Sequence, residues 1–182
     1  MNIRVITILF AAVIITSCSK SKDDLSVNNQ QQVMSGARMT GVPFKGSILY
    51  HANTSFDLPC NCQGMYPAGT FSGSGTLTHL GLTTSNIKPC VYPMFSPEGS
   101  YIGNHVGIEC ASFVAANGDG LYLNIHPYDI LFTAAGAVGY ATVDIIGGTG
   151  KFSSATGNFT GTVSILSATD AAFTNINGTI SY

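Results

Sequence analysis

The stretch that decides the fold is Val138-Gly139-Tyr140-Ala141-Thr142-Val143-Asp144-Ile145-Ile146, which leads directly into Gly147-Gly148. Successive side chains of an extended strand point to opposite faces of a sheet. One face of this strand carries mostly small residues: Ala137, Gly139, Ala141, Val143 and Ile145. The other face carries larger or polar ones: Val138, Tyr140, Thr142, Asp144 and Ile146. Small residues on one face and large ones on the other suit the tapered wall of a β-barrel, and either face is compatible with the interior.

Short runs of β-branched and aromatic residues, separated by Gly, Pro, Asn and Asp, fill the chain from Lys45 onward. They predict eight strands, over residues 46–56, 70–81, 82–91, 105–117, 120–126, 138–146, 157–167 and 172–182. Residues 150–155 are expected to form a single helical turn. Eight consecutive strands with short loops predict an all-β domain, an eight-stranded antiparallel up-and-down β-barrel (calycin-like), because closure removes exposed strand edges. A β-sandwich of two sheets is the alternative.

The composition excludes two classes of protein. Of 182 residues, 45% are hydrophobic and only 9% are charged, which is the opposite of a disordered chain. Seven Lys and Arg against nine Asp and Glu cannot form a basic patch, so no nucleic-acid partner is expected. Residues 45–182 contain only the cations Lys45, Lys88 and Lys151, against seven carboxylates.

The amino terminus has the features of a signal peptide over residues 1–17. Arg4 precedes an uncharged run, residues 5–15, which would be only about 16 Å long as a helix and so too short for a permanent transmembrane segment. Ile15-Thr16-Ser17-Cys18 resembles the bacterial lipobox, in which the cysteine is lipidated and becomes the first residue. The sequence therefore predicts a lipid anchor on Cys18, and a plain signal peptide with an incidental cysteine is the alternative.

The residues after Cys18 indicate where the protein resides. Lys22-Asp23-Asp24 resembles a short signal by which some Gram-negative bacteria send lipoproteins to the outer face of the outer membrane. Residues 18–44 are polar and lack periodicity, which predicts a tether with a reach on the order of 30 Å. We therefore expect three parts: a signal peptide (1–17), a tether (18–44) and a barrel domain (45–182) that is anchored in the outer membrane and faces the exterior.

The carboxy-terminal part resembles a known family of barrels. The run Gly147-Gly148-Thr149-Gly150-Lys151-Phe152-Ser153-Ser154-Ala155-Thr156-Gly157-Asn158-Phe159 is similar to a signature of barrels related to allene oxide cyclase and dirigent proteins. Three further stretches are similar to elements of bacterial members: Gly161-Thr162-Val163, residues 177–182 and Gly75-Thr76-Leu77-Thr78-His79-Leu80-Gly81. The resemblance implies the barrel and not the chemistry, and it supplies only a second hypothesis, a cyclase-like or isomerase-like enzyme acting on a small apolar substrate inside the barrel. No catalytic residue carries over.

The Gly-rich loop is not a phosphate site. Ile145 and Phe152 occupy the positions where a P-loop needs Gly and Ser or Thr, so no nucleotide or other cofactor is expected. The glycines are better explained by a tight connection with positive φ, and Phe152 by an apolar stopper at one barrel end.

Four cysteines remain after Cys18: Cys60, Cys62, Cys90 and Cys110. An even number in an oxidising compartment predicts disulfides. A bond between Cys60 and Cys62 would close a strained ring, so each is expected to pair with Cys90 or Cys110, in either arrangement. A zinc or copper site is the alternative, but the Cys-x-Cys spacing and the scattered histidines argue against it, and no metal site is predicted.

Two carboxylates and two histidines in predicted strands are candidate general acids or bases: Glu109, Asp144, His79 and His105. Alternation places Glu109 on the same face as His105, Gly107 and Phe113. A buried carboxylate needs a partner, so Glu109 and Asp144 are the stronger pair of candidates. Solvent exposure of each is the competing interpretation.

The expected role is non-enzymatic: binding of a small apolar ligand or of a surface partner by a membrane-anchored barrel. The cyclase-like enzyme is the alternative. An apolar cavity with Glu109 or Asp144 beside a His or Tyr would favour ligand chemistry, whereas a filled interior would leave only surface interaction.

Overall fold

The computed structural model describes residues 38–55 and 60–182, apart from the side chain of Ile108. The predicted signal peptide, Cys18 and most of the predicted tether lie outside the described residues. Within the described part, the regular structure consists of strands and one short 3₁₀ turn. None of its helical residues forms a segment long and apolar enough to span a bilayer.

Ten strands are present: β1 (Val42–Ala52), β2 (Tyr66–Pro67), β3 (Phe71–Leu77), β4 (Gly81–Phe95), β5 (Tyr101–Ala115), β6 (Gly120–Ile125), β7 (Tyr128–Thr133), β8 (Gly136–Gly148), β9 (Thr156–Ile165) and β10 (Asp170–Ser181). The 3₁₀ turn, Gly150–Phe152, lies between β8 and β9, where a single helical turn is predicted.

The strands close into a ring. β3 pairs antiparallel with β4, and β4 pairs with β5. On the other side of the ring β8 pairs with β9, β9 with β10, β10 with β1 and β1 with β3. β6 and β7 share one position between β5 and β8, separated by His126 and Pro127. The two-residue β2 pairs with β4 beyond the start of β3. The ring therefore has eight strand positions, which confirms the predicted up-and-down barrel over the sandwich.

The small-residue face of β8 points into the barrel. Gly139, Ala141, Val143 and Ile145 are buried, whereas Tyr140 is 75% exposed and Ile146 is 63% exposed. Small inward residues leave room in the interior, as the taper of a barrel wall requires.

Several strand boundaries differ from the prediction. β1 begins at Val42 rather than residue 46, and the Met39 backbone already exchanges 2.8 Å hydrogen bonds with Tyr182, so the end of the predicted tether belongs to the barrel. β4 continues through Pro93 to Phe95 because it pairs with an equally long β5. β7 was not predicted, since Pro127 interrupts the run that joins it to β6.

A β-bulge in β5 changes which of its residues point inward. Cys90 of β4 pairs with Ile108 and the next residue, Val91, pairs with Val106, so Gly107 is the extra residue. Glu109 and Phe113 consequently face the interior together with Val106, and His105 faces outward. The predicted shared face of His105 and Glu109 is therefore wrong, because simple alternation does not include the bulge.

Both predicted disulfides are present, on the outside of the wall. Cys60 bonds to Cys110 with a Cα–Cα distance of 5.9 Å, and Cys62 bonds to Cys90 with a Cα–Cα distance of 5.3 Å. They hold the segment that precedes β2 against β4 and β5, and Cys90 is fully buried beneath it.

Candidate functional site

The half of the barrel remote from the 3₁₀ turn contains an apolar cavity of about 200 Å³. Its wall is built from the inward residues of nearly every strand, because alternation turns every second side chain toward the interior. Val106, Ile130, Ala141, Val143 and Val163 are typical lining residues. Side chains as small as Ala141 and Ala172 leave the space that larger residues would fill.

Aromatic rings fill the other half of the barrel and form the cavity floor. Phe113 and Phe173 line the cavity and pack on Phe159 with ring centroids 6.1 and 6.3 Å apart. Phe159 in turn packs on Phe44 at 5.1 Å. Phe152 lies at the far end, fully buried, with its ring 4.9 Å from that of Tyr182. This arrangement confirms the prediction that Phe152 closes one barrel end.

The loop that carries Phe152 uses its glycines as predicted. Gly147 and Gly150 have φ of +143° and +55°, which L side chains rarely adopt. Lys151 of the same loop donates a 2.8 Å hydrogen bond to the His79 carbonyl and lies over the Phe152 ring, 4.8 Å from its centroid. Lys151 therefore fastens the closed end and has no part in the cavity.

The cavity extends to the opposite end of the barrel. Three of its lining residues there are exposed: Ala68, Phe132 at 41% and Ile165 at 37%. The Phe132 ring packs edge-on against Tyr101 at 5.2 Å, and Tyr101 packs against Phe95 at 5.9 Å. An exposed aromatic rim thus surrounds part of the mouth.

Two hydrogen-bonded pairs bring polar groups into this apolar interior. The Tyr128 hydroxyl donates to Oε2 of Glu109 at 2.7 Å. The hydroxyls of Tyr50 and Ser85 lie 2.8 Å apart. Tyr50 and Tyr128 are buried, at 5% and 9% exposure, while Glu109 lines the cavity and keeps part of its surface accessible.

The surroundings of Glu109 change its acidity. Burial disfavours the charged carboxylate and raises its pKa from 4.5 to about 6, although the Tyr128 hydrogen bond acts in the opposite direction. Burial also raises the pKa of Tyr128 well above its ordinary value, and the nearby Glu109 charge adds to that shift. Burial likewise raises the pKa of Tyr50. Glu109 is thus the group in the cavity that exchanges its proton near neutral pH, with a hydroxyl donor beside it.

The other sequence candidates do not reach the cavity. Asp144 lies on the outer face and accepts a 2.7 Å hydrogen bond from Nε2 of His126. His105 is also outside, with Nδ1 2.7 Å from Asp129. His79 lies at the closed end, where Nε2 donates to the Pro43 carbonyl. Each of these residues is satisfied by a local partner.

Tyr128 and Tyr50 were not predicted as site residues. Tyr128 follows Pro127 directly, at the start of the strand that the sequence did not predict, so no alternation pattern marked it as inward. Tyr50 lies in the predicted strand 46–56, but nothing in the sequence marks its hydroxyl as part of a polar pair. The sequence signal that could have marked Tyr128 as inward is the alternation in β7, where Tyr128 and Ile130 share a face and are both buried.

Across residues 38–55 and 60–182, no three His, Cys, Asp or Glu side chains come together in a way that would hold an ion. All four cysteines after Cys18 are oxidised in the two disulfides. What the cavity can do is enclose an apolar molecule, form a hydrogen bond with it and exchange a proton at Glu109.

Comparison of the chain with protein-family models, with curated proteins and with solved structures found no match. The cavity and its polar pair are therefore the observations from which a function can be inferred.

Proposed function

We propose that the barrel binds a small, largely apolar molecule in the cavity above Phe113 and Phe173. The observation that supports this most strongly is the cavity itself, which is apolar, reaches the barrel end and keeps part of Glu109 accessible. An engineered apolar cavity of about 150 Å³ binds benzene, so about 200 Å³ suits a molecule of roughly ten non-hydrogen atoms. A purely structural barrel gains nothing from such a void, because unfilled space costs stability.

Filling the cavity tests this proposal. Ala141 is buried in the cavity wall, and Ala141→Leu places extra methyl groups in the space that a ligand would use. Its neighbour Thr142 is exposed on the outer face, so Thr142→Leu is the matched control. With 2-phenylethanol as probe in calorimetric titrations, we expect binding to the wild type and to Thr142→Leu but not to Ala141→Leu. Equal binding to all three would overturn the proposal.

A proton-transfer enzyme, cyclase-like or isomerase-like, is the second candidate. It is favoured by one observation, the Glu109 carboxyl with its raised pKa of about 6 and the Tyr128 hydroxyl 2.7 Å away. A general acid or base works best when its pKa is near the working pH. Deuterium exchange next to the carbonyl of 4-phenyl-2-butanone measures such chemistry directly. An enzyme would accelerate the exchange, Glu109→Gln would abolish the acceleration, and equal rates with and without protein would exclude this candidate for such substrates.

We also propose that the barrel is attached to the outer membrane, facing outward, through lipid on Cys18. The support is the sequence Ile15-Thr16-Ser17-Cys18 with Lys22-Asp23-Asp24 behind it. Stable anchoring needs two or more acyl chains, since each buried methylene contributes about 0.8 kcal/mol. Cys18→Ala should release the protein from the membrane fraction, and protease added to whole cells should remove the wild-type barrel. A membrane fraction unchanged by Cys18→Ala would refute the anchor.

A further inference from the structure

The charge of the cavity has one sign. Glu109 is an ionisable carboxyl among the lining residues, and the described part of the chain contributes no Lys, Arg or His to the lining. The other titratable groups that face Glu109 are the phenols Tyr128 on β7 and Tyr50 on β1. Both pKa values are raised, so both phenols are neutral at physiological pH. An ionised Glu109 consequently has a hydrogen-bond donor beside it, but the described residues place no cation in the cavity wall.

One carboxylate oxygen is directed to the cavity. The hydrogen bond from Tyr128 ends on Oε2 of Glu109, and Oε1 accepts no hydrogen bond from the described residues. Every buried side-chain oxygen or nitrogen of the described residues has a partner, so Oε1 is accessible rather than buried. Since Glu109 points into the barrel, that accessible oxygen faces the space in which a ligand would lie.

These two features determine which head group the cavity accepts. A second anion, such as a carboxylate, would face Glu109 across a low-dielectric space without a cation to offset the repulsion. A neutral hydroxyl can donate one ordinary hydrogen bond to Oε1. An ammonium group supplies the missing positive charge and a charge-assisted hydrogen bond, which is about twice as strong as a neutral one. The fit is therefore best for a cation.

We propose that the cavity selects small apolar molecules that carry a protonated amine, with the ammonium group bound to Oε1 of Glu109 and the apolar body between Val106, Ala141 and Val163. This inference rests on the proposed function, because it names the chemical class of ligand for the same cavity. It also sets the pH range of binding. The alkylammonium stays protonated up to a pH of about 10, whereas Glu109 loses its charge below about pH 6, so binding weakens on the acid side.

Three probes with matched apolar parts test this selection: 2-phenylethylamine, 2-phenylethanol and 3-phenylpropanoate. In calorimetric titrations at pH 7.5, the amine should bind at least about tenfold more tightly than the alcohol, and the carboxylate should not bind. From pH 7 to pH 5 the affinity for the amine should fall by about tenfold while that for the alcohol stays constant.

Two variants, each checked for folding, separate a loss of selectivity from a loss of structure. Glu109→Gln is nearly isosteric but uncharged, and it should lose the preference for the amine over the alcohol. Thr142→Leu, on the outer face, leaves the cavity unchanged and should keep the preference, and circular dichroism of both variants reports whether the barrel remains folded. Alcohol and amine that bind equally, or a carboxylate that binds best, would overturn the inference but leave the proposed function standing. Failure of all three probes on the folded wild type would overturn both.

Discussion

Glu109 is the carboxyl that lines the cavity, and the proposed ligand chemistry depends on it. It follows the Gly107 bulge in β5 and points into an interior built mainly from Val, Ile, Ala and Phe. A charged carboxylate in such surroundings is unfavourable unless it is paired, which is why its pKa is raised to about 6. The Tyr128 hydroxyl offsets part of that cost. A carboxyl in a cavity whose pKa is shifted by its surroundings is a candidate functional group.

The acidity of Glu109 predicts a specific pH dependence of stability. Glu109 holds its proton more tightly in the folded barrel, with a pKa of about 6, than in the unfolded chain, at 4.5. Its contribution is therefore complete below pH 4.5 and is lost as the pH rises through 6, by about 2 kcal/mol in all. Urea denaturation of the wild type and of Glu109→Gln between pH 4 and 8 measures it. The free energy of unfolding of the wild type should fall relative to the variant over that window, and parallel curves would contradict the prediction.

The sequence identified Glu109 but not its partner. A carboxylate within a strongly apolar strand needs a partner, which made Glu109 a candidate, and the structure places it in the cavity wall. The same reasoning also selected Asp144, which is satisfied on the outer face by His126. Alternation defines the two faces of a strand but does not decide which face is inside. After a bulge, the residues that follow point to the opposite face from the one that simple alternation predicts. Only the folded barrel therefore shows that Glu109 faces the cavity and Asp144 faces outward.

At the scale of elements, the two disulfides attach an irregular segment to the wall. Cys60 and Cys62 lie in a stretch without strand pattern, and their partners lie on β5 and β4. The Met65 side chain packs where a Cβ on Gly107 would lie, so the same segment covers the bulge from outside. It thereby supports the backbone that positions Glu109 from the other side of the wall.

Loss of one disulfide should lower stability without opening the barrel. The Cys62–Cys90 bond joins residues 28 apart in sequence, and closure of a loop of that size contributes about 3 to 4 kcal/mol in the chain-entropy model. Replacing both cysteines with alanine should lower the urea midpoint accordingly. The far-UV spectrum should remain that of a β protein. A midpoint equal to that of the wild type would show that the bond does not constrain the unfolded chain.

Strand boundaries were predictable only where local pattern and pairing agree. The ends of β4 and β5 extend past the predicted limits, because each is the pairing partner of the other and Pro89 and Pro93 hide the pattern. β7 was missed since Pro127 separates it from β6, although the two strands form one side of the ring. Pairing between residues distant in sequence overrides local propensity in both cases.

At the scale of the whole molecule, the two ends of the barrel differ. One end is closed by Phe152 and Tyr182, and Lys151 fastens it through the His79 carbonyl. At the other end, Phe132 is partly exposed at the mouth of the cavity. One end is therefore packed with buried rings, whereas the cavity lies toward the other end.

A pair of Phe→Ala variants separates these roles. Phe152→Ala removes a fully buried ring and should cost about 3 to 5 kcal/mol of stability, while 2-phenylethanol still binds as long as the barrel is folded. Phe132→Ala removes a 41% exposed ring and should change stability by about 1 kcal/mol at most. It should nevertheless alter the affinity or the rate of entry of the probe. Denaturation and binding measurements on both variants check this. A large loss of stability in Phe132→Ala, together with altered binding in Phe152→Ala, would contradict the assignment of the two ends.

Closure of the ring was predictable from the chain, whereas the cavity was not. Eight strands with short loops leave few arrangements other than a barrel, and the Gly-rich loop with Phe152 indicated a closed end. Whether the interior is filled depends on the summed volume of inward side chains from every strand. Phe113 and Phe159 fill one half, and small residues such as Ala141 and Ala172 leave the other half empty. The sequence of one strand alone therefore cannot show whether the interior is filled.

The most direct test of an apolar cavity around Glu109 is a carboxyl titration by NMR. The chain has only two glutamates, Glu98 and Glu109, so ¹³C-glutamate labelling yields two side-chain carboxyl signals, which Glu98→Gln and Glu109→Gln assign. Glu98 is exposed, and a hydrogen bond from Ser96 lowers its pKa below 4.5. We predict that Glu109 titrates with a pKa of about 6, well separated from Glu98. Two signals that both titrate at or below pH 4.5 would place Glu109 in solvent and contradict the cavity.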